Sequence, residues 1–153
     1  MPLDEMTRRN LELVESLRGG ATDGTLLSVL DRTMTPMGAR LLRQWLLAPL
    51  VERAAIEARL DAVEALVREA SARDGLRTAL DGVRDLERLG GKAAAGRATP
   101  RELAALGASL ARLPNVERPV RPLATAGVMA SLMSQWDGCA EMAAQVRDTL
   151  VDR

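Results

Sequence analysis

The chain has 153 residues, of which 47% are apolar and 27% are charged, and its 21 basic side chains balance 21 acidic ones. This composition is typical of a globular protein and excludes an intrinsically disordered chain, and the zero net charge argues against a dedicated nucleic-acid-binding module. The absence of histidine excludes His-based acid–base catalysis and His-ligated metal sites.

Helix-starting residues punctuate the N-terminal part of the chain. Asp4 predicts the start of a short helix that runs through about Arg9. Apolar and polar residues then alternate, which favours one short strand near residues 10–14. Thr25 predicts the start of a helix of one or two turns after a glycine-rich loop.

The two clearest helices follow in the next part of the chain. Thr35 and Pro36 predict a helix start, because proline lacks an N–H at a position where none is needed. An apolar stripe with helical spacing then predicts a helix at about 53–71. Asp74-Gly75 predicts a break or kink after it.

The C-terminal half has the same helical punctuation. Asp85 predicts one helix start, and Thr99-Pro100 predicts another. Pro114-Asn115 is expected to stop that helix, and a Met-rich helical tail is expected at about 123–151, with a break near Gly138. The elements together predict an all-α fold, an irregular helical bundle that forms a single domain over residues 1–153.

Candidate catalytic chemistry is sparse. The Gly90-Gly91-Lys92 run lacks the first glycine and the Ser/Thr of a phosphate-binding P-loop. Carboxylates cluster at Glu57/Asp61/Glu64 and at Asp85/Glu87, where neighbouring arginines favour ion pairs over metal binding or acid–base catalysis. The lone Cys139 has no basic neighbour in sequence, which favours a structural thiol, and it suits a reducing, cytoplasmic location. No stretch approaches the 18 apolar residues of a membrane span.

Arginine is the unusual feature, since 20 of the 21 basic residues are arginine. Guanidinium groups suit bidentate pairing with carboxylate or phosphate. The local pairs that could meet a phosphate backbone are Arg8 with Arg9 and Arg40 with Arg43. Ordinary surface or interhelix salt bridges are the alternative interpretation of the same residues.

Six short sequence blocks occur along the chain in an order that carries a resemblance. They are LDxxTRRNLEL at 3–13, TLLSVLDxTxTPMGxRLL at 25–42, WLxxPL at 45–50, IxxRLDAVE at 56–64, DLERL at 85–89 and TPREL at 99–103. Over about residues 3–114 this order resembles the core, or lever, domain of the MutS family of DNA mismatch repair proteins. The tail from Val116 is similar in helical character and length.

The resemblance implies a division of labour. MutS proteins read mismatched DNA with an N-terminal domain that inserts a Phe beside a Glu, and they hydrolyse ATP in a C-terminal domain. The helical core lies between them and carries an inserted clamp that closes on DNA. Because this chain has no Phe and no P-loop, we expect the first segment of the core, before the clamp insertion, excised from a longer parent. ATP and Mg²⁺ then belong to the parent's ATPase domain, and no cofactor belongs to this chain.

The resemblance implies structural roles for the matching polar residues, and none of them matches a catalytic position. Thr35 would cap a helix and Gly38 would allow another helix to approach closely. The others would form ion pairs that fix helix orientation: Arg40, Arg59, Asp61, Glu64, Asp85, Glu87 and Arg88. The implied function is a non-enzymatic module that links the mismatch-binding and clamp regions to the ATPase.

Two other functions compete with this one. The chain could be a free-standing helical protein-interaction module, or a weak, non-specific DNA-backbone binder through its paired arginines. If the chain is instead a core segment of a MutS protein, its partners are the other domains of the parent, and mismatched DNA is reached only through the full-length protein. Since helices that return from the clamp would complete the core, we expect an exposed apolar surface that favours self-association.

Overall fold

The computed structural model describes residues 3–17, 19, 21–125 and 127–150, and within these ranges the chain is helical and has no strand. The helices are α1 (Glu5–Asn10), α2 (Leu26–Leu30), α3 (Pro36–Leu47), α4 (Arg53–Arg68), α5 (Ala70–Leu80), α6 (Leu86–Ala94), α7 (Pro100–Leu110), α8 (Leu113–Val120), α9 (Gly127–Ser134) and α10 (Ala140–Thr149), with a 3-10 turn at Arg121–Leu123. The prediction of an all-α fold is therefore confirmed. The chain divides into two compact units, residues 1–57 and 58–153. The prediction that residues 1–153 form a single domain stays a prediction.

Side-chain caps begin the helices of the first unit where the sequence predicts them. Asp4 accepts a hydrogen bond from the Thr7 N–H at 2.9 Å. Thr25 accepts one from Ser28 at 3.2 Å. Because each cap satisfies an amide that has no partner inside its helix, these starts depend on local sequence alone.

The strand expected near residues 10–14 is wrong. Glu12 has a left-handed backbone with φ of 45°, and its N–H donates to the Arg9 carbonyl at 3.1 Å. This turn ends α1 and places Leu13 and Val14 in the core, each 7% exposed, while Leu11 is 59% exposed. A strand would bury alternate residues, whereas this turn buries two in succession.

A small leucine-rich core holds the first unit together. Leu13, Val14 and Leu27 are buried, and they pack against the partly buried side chains of Leu3, Leu42, Leu46 and Leu47. Backbone hydrogen bonds tie the two sides, with the Leu26 N–H donating to the Glu12 carbonyl at 3.1 Å and the Leu27 N–H to the Leu13 carbonyl at 2.9 Å. The apolar face of α3 is broader than this core needs, so Leu41 and Trp45 remain 46% and 40% exposed.

The helix break in the second unit lies earlier than the sequence predicts. It falls at Glu69, between α4 and α5, and not at Asp74-Gly75. The Arg73 side chain stabilises this break, because its Nη1 donates to the Leu66 and Val67 carbonyls at 3.0 and 3.2 Å and so satisfies carbonyls at the end of α4. Gly75 lies inside α5.

Pro114 and Asn115, which were expected to stop the preceding helix, lie in the helix α8. Pro114 lies in its first turn, where no N–H is required. Val116 and Val120, one turn apart, are 8% and 6% exposed. Burial of this stripe against the rest of the unit, where α8 packs on α5, outweighs the proline signals.

Gly107 sets the distance between α7 and α10. A Cβ at this position would lie 2.7 Å from Val146 Cγ1 and 3.1 Å from Val146 Cβ. Gly107→Ala is therefore expected to destabilise the chain by about 1–3 kcal/mol through overpacking, and Val146→Ala in the same chain should recover part of that loss. The check is urea unfolding of the single and double variants.

A matched substitution controls for glycine propensity. A Cβ at Gly90, in α6, would meet no atom within 4 Å. Gly90→Ala should therefore stabilise its helix by about 0.5–1 kcal/mol. Equal stability of the Gly107→Ala and Gly90→Ala variants would contradict the close approach at Gly107.

Candidate functional site

Helices α1 and α3 bring together the four arginines that the sequence singles out as phosphate contacts. Arg8, Arg9 and Arg43 line a cavity of about 610 Å³. Arg8, Arg40 and Arg43 line a second cavity of about 310 Å³. Arg8 and Arg43 are common to both. We call these four residues the arginine cluster.

Local structure explains why the arginine cluster forms. Arg8 and Arg9 occupy the last turn of α1, where positive charge is favoured by the helix dipole. Arg40 and Arg43 are three residues apart on α3, so they share one face of that helix. The Leu3 N–H donates to the Leu47 carbonyl at 3.2 Å, which ties the chain before α1 to the end of α3.

Positive charge exceeds negative charge around these cavities. Four guanidinium groups line them together with two carboxylates, Glu5 and Glu15. Arg43 Nη2 lies 3.4 Å from Glu15 Oε1, and the two side chains are 44% and 67% exposed, so this ion pair is weak and exchangeable. Arg8 Nε is buried and has no hydrogen-bond partner in the part of the chain that the structure describes. The zero net charge of the sequence conceals this local excess.

Two of the residues that match the family pattern cap helices. Thr35 accepts a hydrogen bond from the Gly38 N–H at 3.1 Å and begins α3. Asp85 accepts one from the Arg88 N–H at 3.1 Å and begins α6. Glu64 makes an exposed ion pair of 2.5 Å with Arg68 along α4.

The close approach of another helix at Gly38 stays a prediction. The nearest atoms to a Cβ at this position are Thr35 Oγ1 at 3.2 Å and Thr33 Cβ at 3.4 Å. Gly38 therefore packs against the cap of its own helix. The ion-pair roles of the other matching residues stay predictions: Arg40, Arg59, Asp61, Glu87 and Arg88.

The described residues contain neither a metal-binding cluster nor a helix suited to a membrane span. Among the side chains that the structure describes, no group of three or more His, Cys, Asp or Glu could hold a metal ion. None of the described helices combines the length and the apolarity that crossing a bilayer requires.

The glycine run does not fit the phosphates of a nucleotide. Gly90, Gly91 and Lys92 lie inside α6, so their backbone amides belong to a helix and do not form a phosphate-binding loop. The Lys92 ammonium is paired with the Glu102 carboxylate of α7. The ion pair thus connects α6 to α7, and the glycine run does not form a nucleotide-binding loop.

The Lys92–Glu102 contact predicts a pH dependence of stability. The Lys92 hydrogen bond, followed by that of the Thr99 N–H, lowers the pKa of Glu102 from 4.5 to about 2. A carboxyl whose folded pKa is lowered stabilises the fold above its unfolded pKa, and that contribution disappears as pH falls through the folded pKa. We therefore expect the difference in Tm between the chain and Glu102→Gln to shrink between pH 4.5 and 2.

Thermal unfolding followed by circular dichroism over this pH range measures the effect. Glu52→Gln serves as the control, because Glu52 has an exposed side chain outside this contact. A Tm difference for Glu102→Gln that stays constant with pH would contradict the assignment.

Comparison with known proteins places the chain in one family. The family described as MutS domain III matches residues 6–152. The chain is 46% identical over 150 residues to the DNA mismatch repair protein MutS of Salinibacter ruber and 43% identical over 152 residues to that of Brevibacillus brevis, covering 98% and 99% of this chain. The protein of the same name from Chlorobaculum parvum is 50% identical over 117 residues, or 76% of the chain.

The same matches cover only a small part of each relative. The chain spans 16% of the Salinibacter ruber protein and 18% of the Brevibacillus brevis protein. The family match nevertheless extends over nearly all of the chain, and the relatives are similar over the same stretch. The chain therefore belongs to the MutS domain III family.

Proposed function

We propose that this chain is the non-catalytic core of a longer MutS mismatch repair protein, where it links the mismatch-binding and clamp regions to the ATPase. The match to MutS domain III over residues 6–152 carries the proposal. The relatives that share this segment are named for DNA mismatch repair, and the chain spans about a sixth of their length. Mismatch recognition and ATP hydrolysis, with its Mg²⁺, then belong to other parts of the parent.

An exposed apolar stripe on α4 supports a place inside a larger protein. Leu60, Val63 and Val67 are 60%, 58% and 63% exposed, and Ile56 is 37% exposed. Their spacing of four, three and four residues is that of a seam between two packed helices. The stripe thus provides a surface for another helix of the parent to cover. These exposed side chains support the expected apolar surface, and self-association stays a prediction.

Helix continuity supports the linking role. α4 runs without a break for 16 residues, and an α-helix advances 1.5 Å per residue, or about 24 Å over this length. Exposed ion pairs four residues apart add modest support to the helix, Arg53 with Glu57 at 2.7 Å and Glu64 with Arg68 at 2.5 Å. An unbroken helix of this length can transmit movement from one end to the other, as the linking role requires.

Exchange of the segment in a living cell tests the proposal. The matching 152 residues of the Brevibacillus brevis protein would be replaced by this chain in a strain that lacks its own MutS gene. We expect the chimera to lower the spontaneous mutation rate as the unmodified relative does, whereas the relative with the segment deleted should not. A chimera that accumulates normally but leaves the mutation rate high would contradict the proposal.

A further inference from the structure

We propose that the arginine cluster binds phosphate groups of the DNA backbone, independently of sequence and of any mismatch. The inference rests on the proposed function in taking DNA as the source of the phosphate. Its geometric basis is the shared lining of two cavities, since Arg8 and Arg43 line both, Arg9 lines the larger, and Arg40 lines the smaller. The net charge of the chain does not reveal this basic surface, because the fold assembles it from two separate segments.

The donors of the cluster suit an oxyanion. A guanidinium carries five N–H donors in a planar fork that matches phosphate in a bidentate manner. Arg8 contributes a buried Nε without a hydrogen-bond partner in the described ranges of the chain. A buried donor without a partner costs about 1–3 kcal/mol, so a shift of the Arg8 side chain that brings Nε to a phosphate oxygen would recover that cost.

The lining favours the nucleic-acid backbone over the bases. The described residues that line the two cavities include no aromatic side chain on which a base could stack. Contacts between arginine side chains and DNA phosphates position a protein on the duplex, but they carry no sequence information directly. Arg8 and Arg43 line both cavities, so the four guanidinium groups lie along one continuous surface and can meet more than one anionic group. The cluster is therefore better suited to a run of phosphates than to one acidic side chain.

Glu15 competes with the ligand for one arginine. Its carboxylate pairs with Arg43 at 3.4 Å across an exposed contact, so a phosphate that binds Arg43 must displace it. Glu15→Gln should therefore strengthen DNA binding, because it frees the guanidinium and removes a negative charge from the cavity. An affinity for duplex DNA unchanged by Glu15→Gln would contradict this arrangement.

The decisive experiment measures the salt dependence of binding to a fully paired, fluorescently labelled duplex by anisotropy. The 153-residue chain is compared with Arg8→Gln/Arg43→Gln and with Arg97→Gln/Arg101→Gln, an equal charge change at exposed positions outside the cluster. Each phosphate contact contributes a slope of about 0.9 to the plot of log K against log salt. We expect the slope of the cluster variant to fall by about 2, whereas the control variant should keep the slope of the original chain.

A milder variant keeps the test decisive if the double substitution prevents folding. Arg9 is exposed on α1, and Arg9→Gln should lower the salt slope by about 1 while leaving the circular dichroism spectrum unchanged. A duplex with one mismatch should bind with the same affinity as the paired duplex.

Three outcomes would overturn the inference. The first is no binding of the original chain to duplex DNA at about 100 µM protein, the weak end of non-specific affinity at physiological salt. The second is an equal fall in slope for the cluster and control variants. The third is binding of polyglutamate with no binding of duplex, which would assign the cluster to an acidic protein segment. None of these outcomes bears on the linking role, which the mutation rate of the chimera tests separately.

Discussion

Proline in place of Ala62 is expected to uncouple ATP hydrolysis from mismatch binding in a MutS protein that carries this segment. Ala62 lies in the middle of α4, where proline removes a helical N–H donor and clashes with the preceding turn, at a cost of about 3 kcal/mol or more. A kinked α4 would absorb movement that an unbroken helix transmits. In the Brevibacillus brevis chimera, the rate of ATP hydrolysis should then no longer respond to mismatched DNA.

The same substitution near the start of α4 provides the control. Ala54 is the second residue of the helix, in the turn where amides have no acceptor inside the helix. Ala54→Pro should therefore preserve the response of ATP turnover to mismatched DNA. Mismatch affinity and ATP binding, measured separately, should survive in both variants. A normal response in the Ala62→Pro chimera, or an equal loss in the Ala54→Pro chimera, would contradict a role for α4 in coupling.

Truncation of Leu110 is expected to cost about 2–5 kcal/mol of the free energy of unfolding, as large-to-small changes in a packed core do. Leu110 is 6% exposed and lies one turn from Leu106, which is 8% exposed. Both belong to α7, the helix that packs against α6 and α10. Loss of the Leu110 side chain would thus leave a cavity among the buried side chains of α7.

Urea unfolding of Leu110→Ala and Leu60→Ala measures this effect with one kind of substitution. Leu60 is 60% exposed on α4, so its truncation in the isolated chain should change the free energy of unfolding by about 0.5 kcal/mol or less. Equal losses in the two variants would show that the assigned core around α7 is wrong.

Helix starts could be predicted from sequence because their causes are local. Asp4, Thr25 and Thr35 each cap an amide three residues away. Thr99 forms a reciprocal capping box with Glu102. Such signals need only a few neighbouring residues, and they correctly predicted an all-α fold.

Contacts that apolar periodicity and turn residues do not encode explain where the sequence predictions fail. The apolar alternation near residues 10–14 suggests a strand, but burial of Leu13 and Val14 beside Leu27 selects a turn. The break expected at Asp74-Gly75 moves to Glu69, where Arg73 can reach the carbonyls that end α4. Tertiary packing overrides local propensity in the first case, and a side-chain contact six and seven residues back along the chain fixes the second.

At the candidate site the sequence identifies the residues but does not decide what they bind. The sequence singles out Arg8, Arg9, Arg40 and Arg43, yet it leaves salt bridges and phosphate contacts as open alternatives for them. Only the fold of the first unit places all four around adjoining cavities. The Arg43–Glu15 pair joins residues 28 positions apart, a contact that no local pattern announces.

The most direct test of the linking role is the rate of ATP hydrolysis by the unmutated Brevibacillus brevis chimera, measured with and without mismatched duplex DNA. We predict that mismatched DNA changes the rate in the same direction and to a similar extent as in the unmodified relative. A chimera that binds mismatched DNA and hydrolyses ATP, but whose hydrolysis ignores the DNA, would contradict the proposal that this segment joins the two activities.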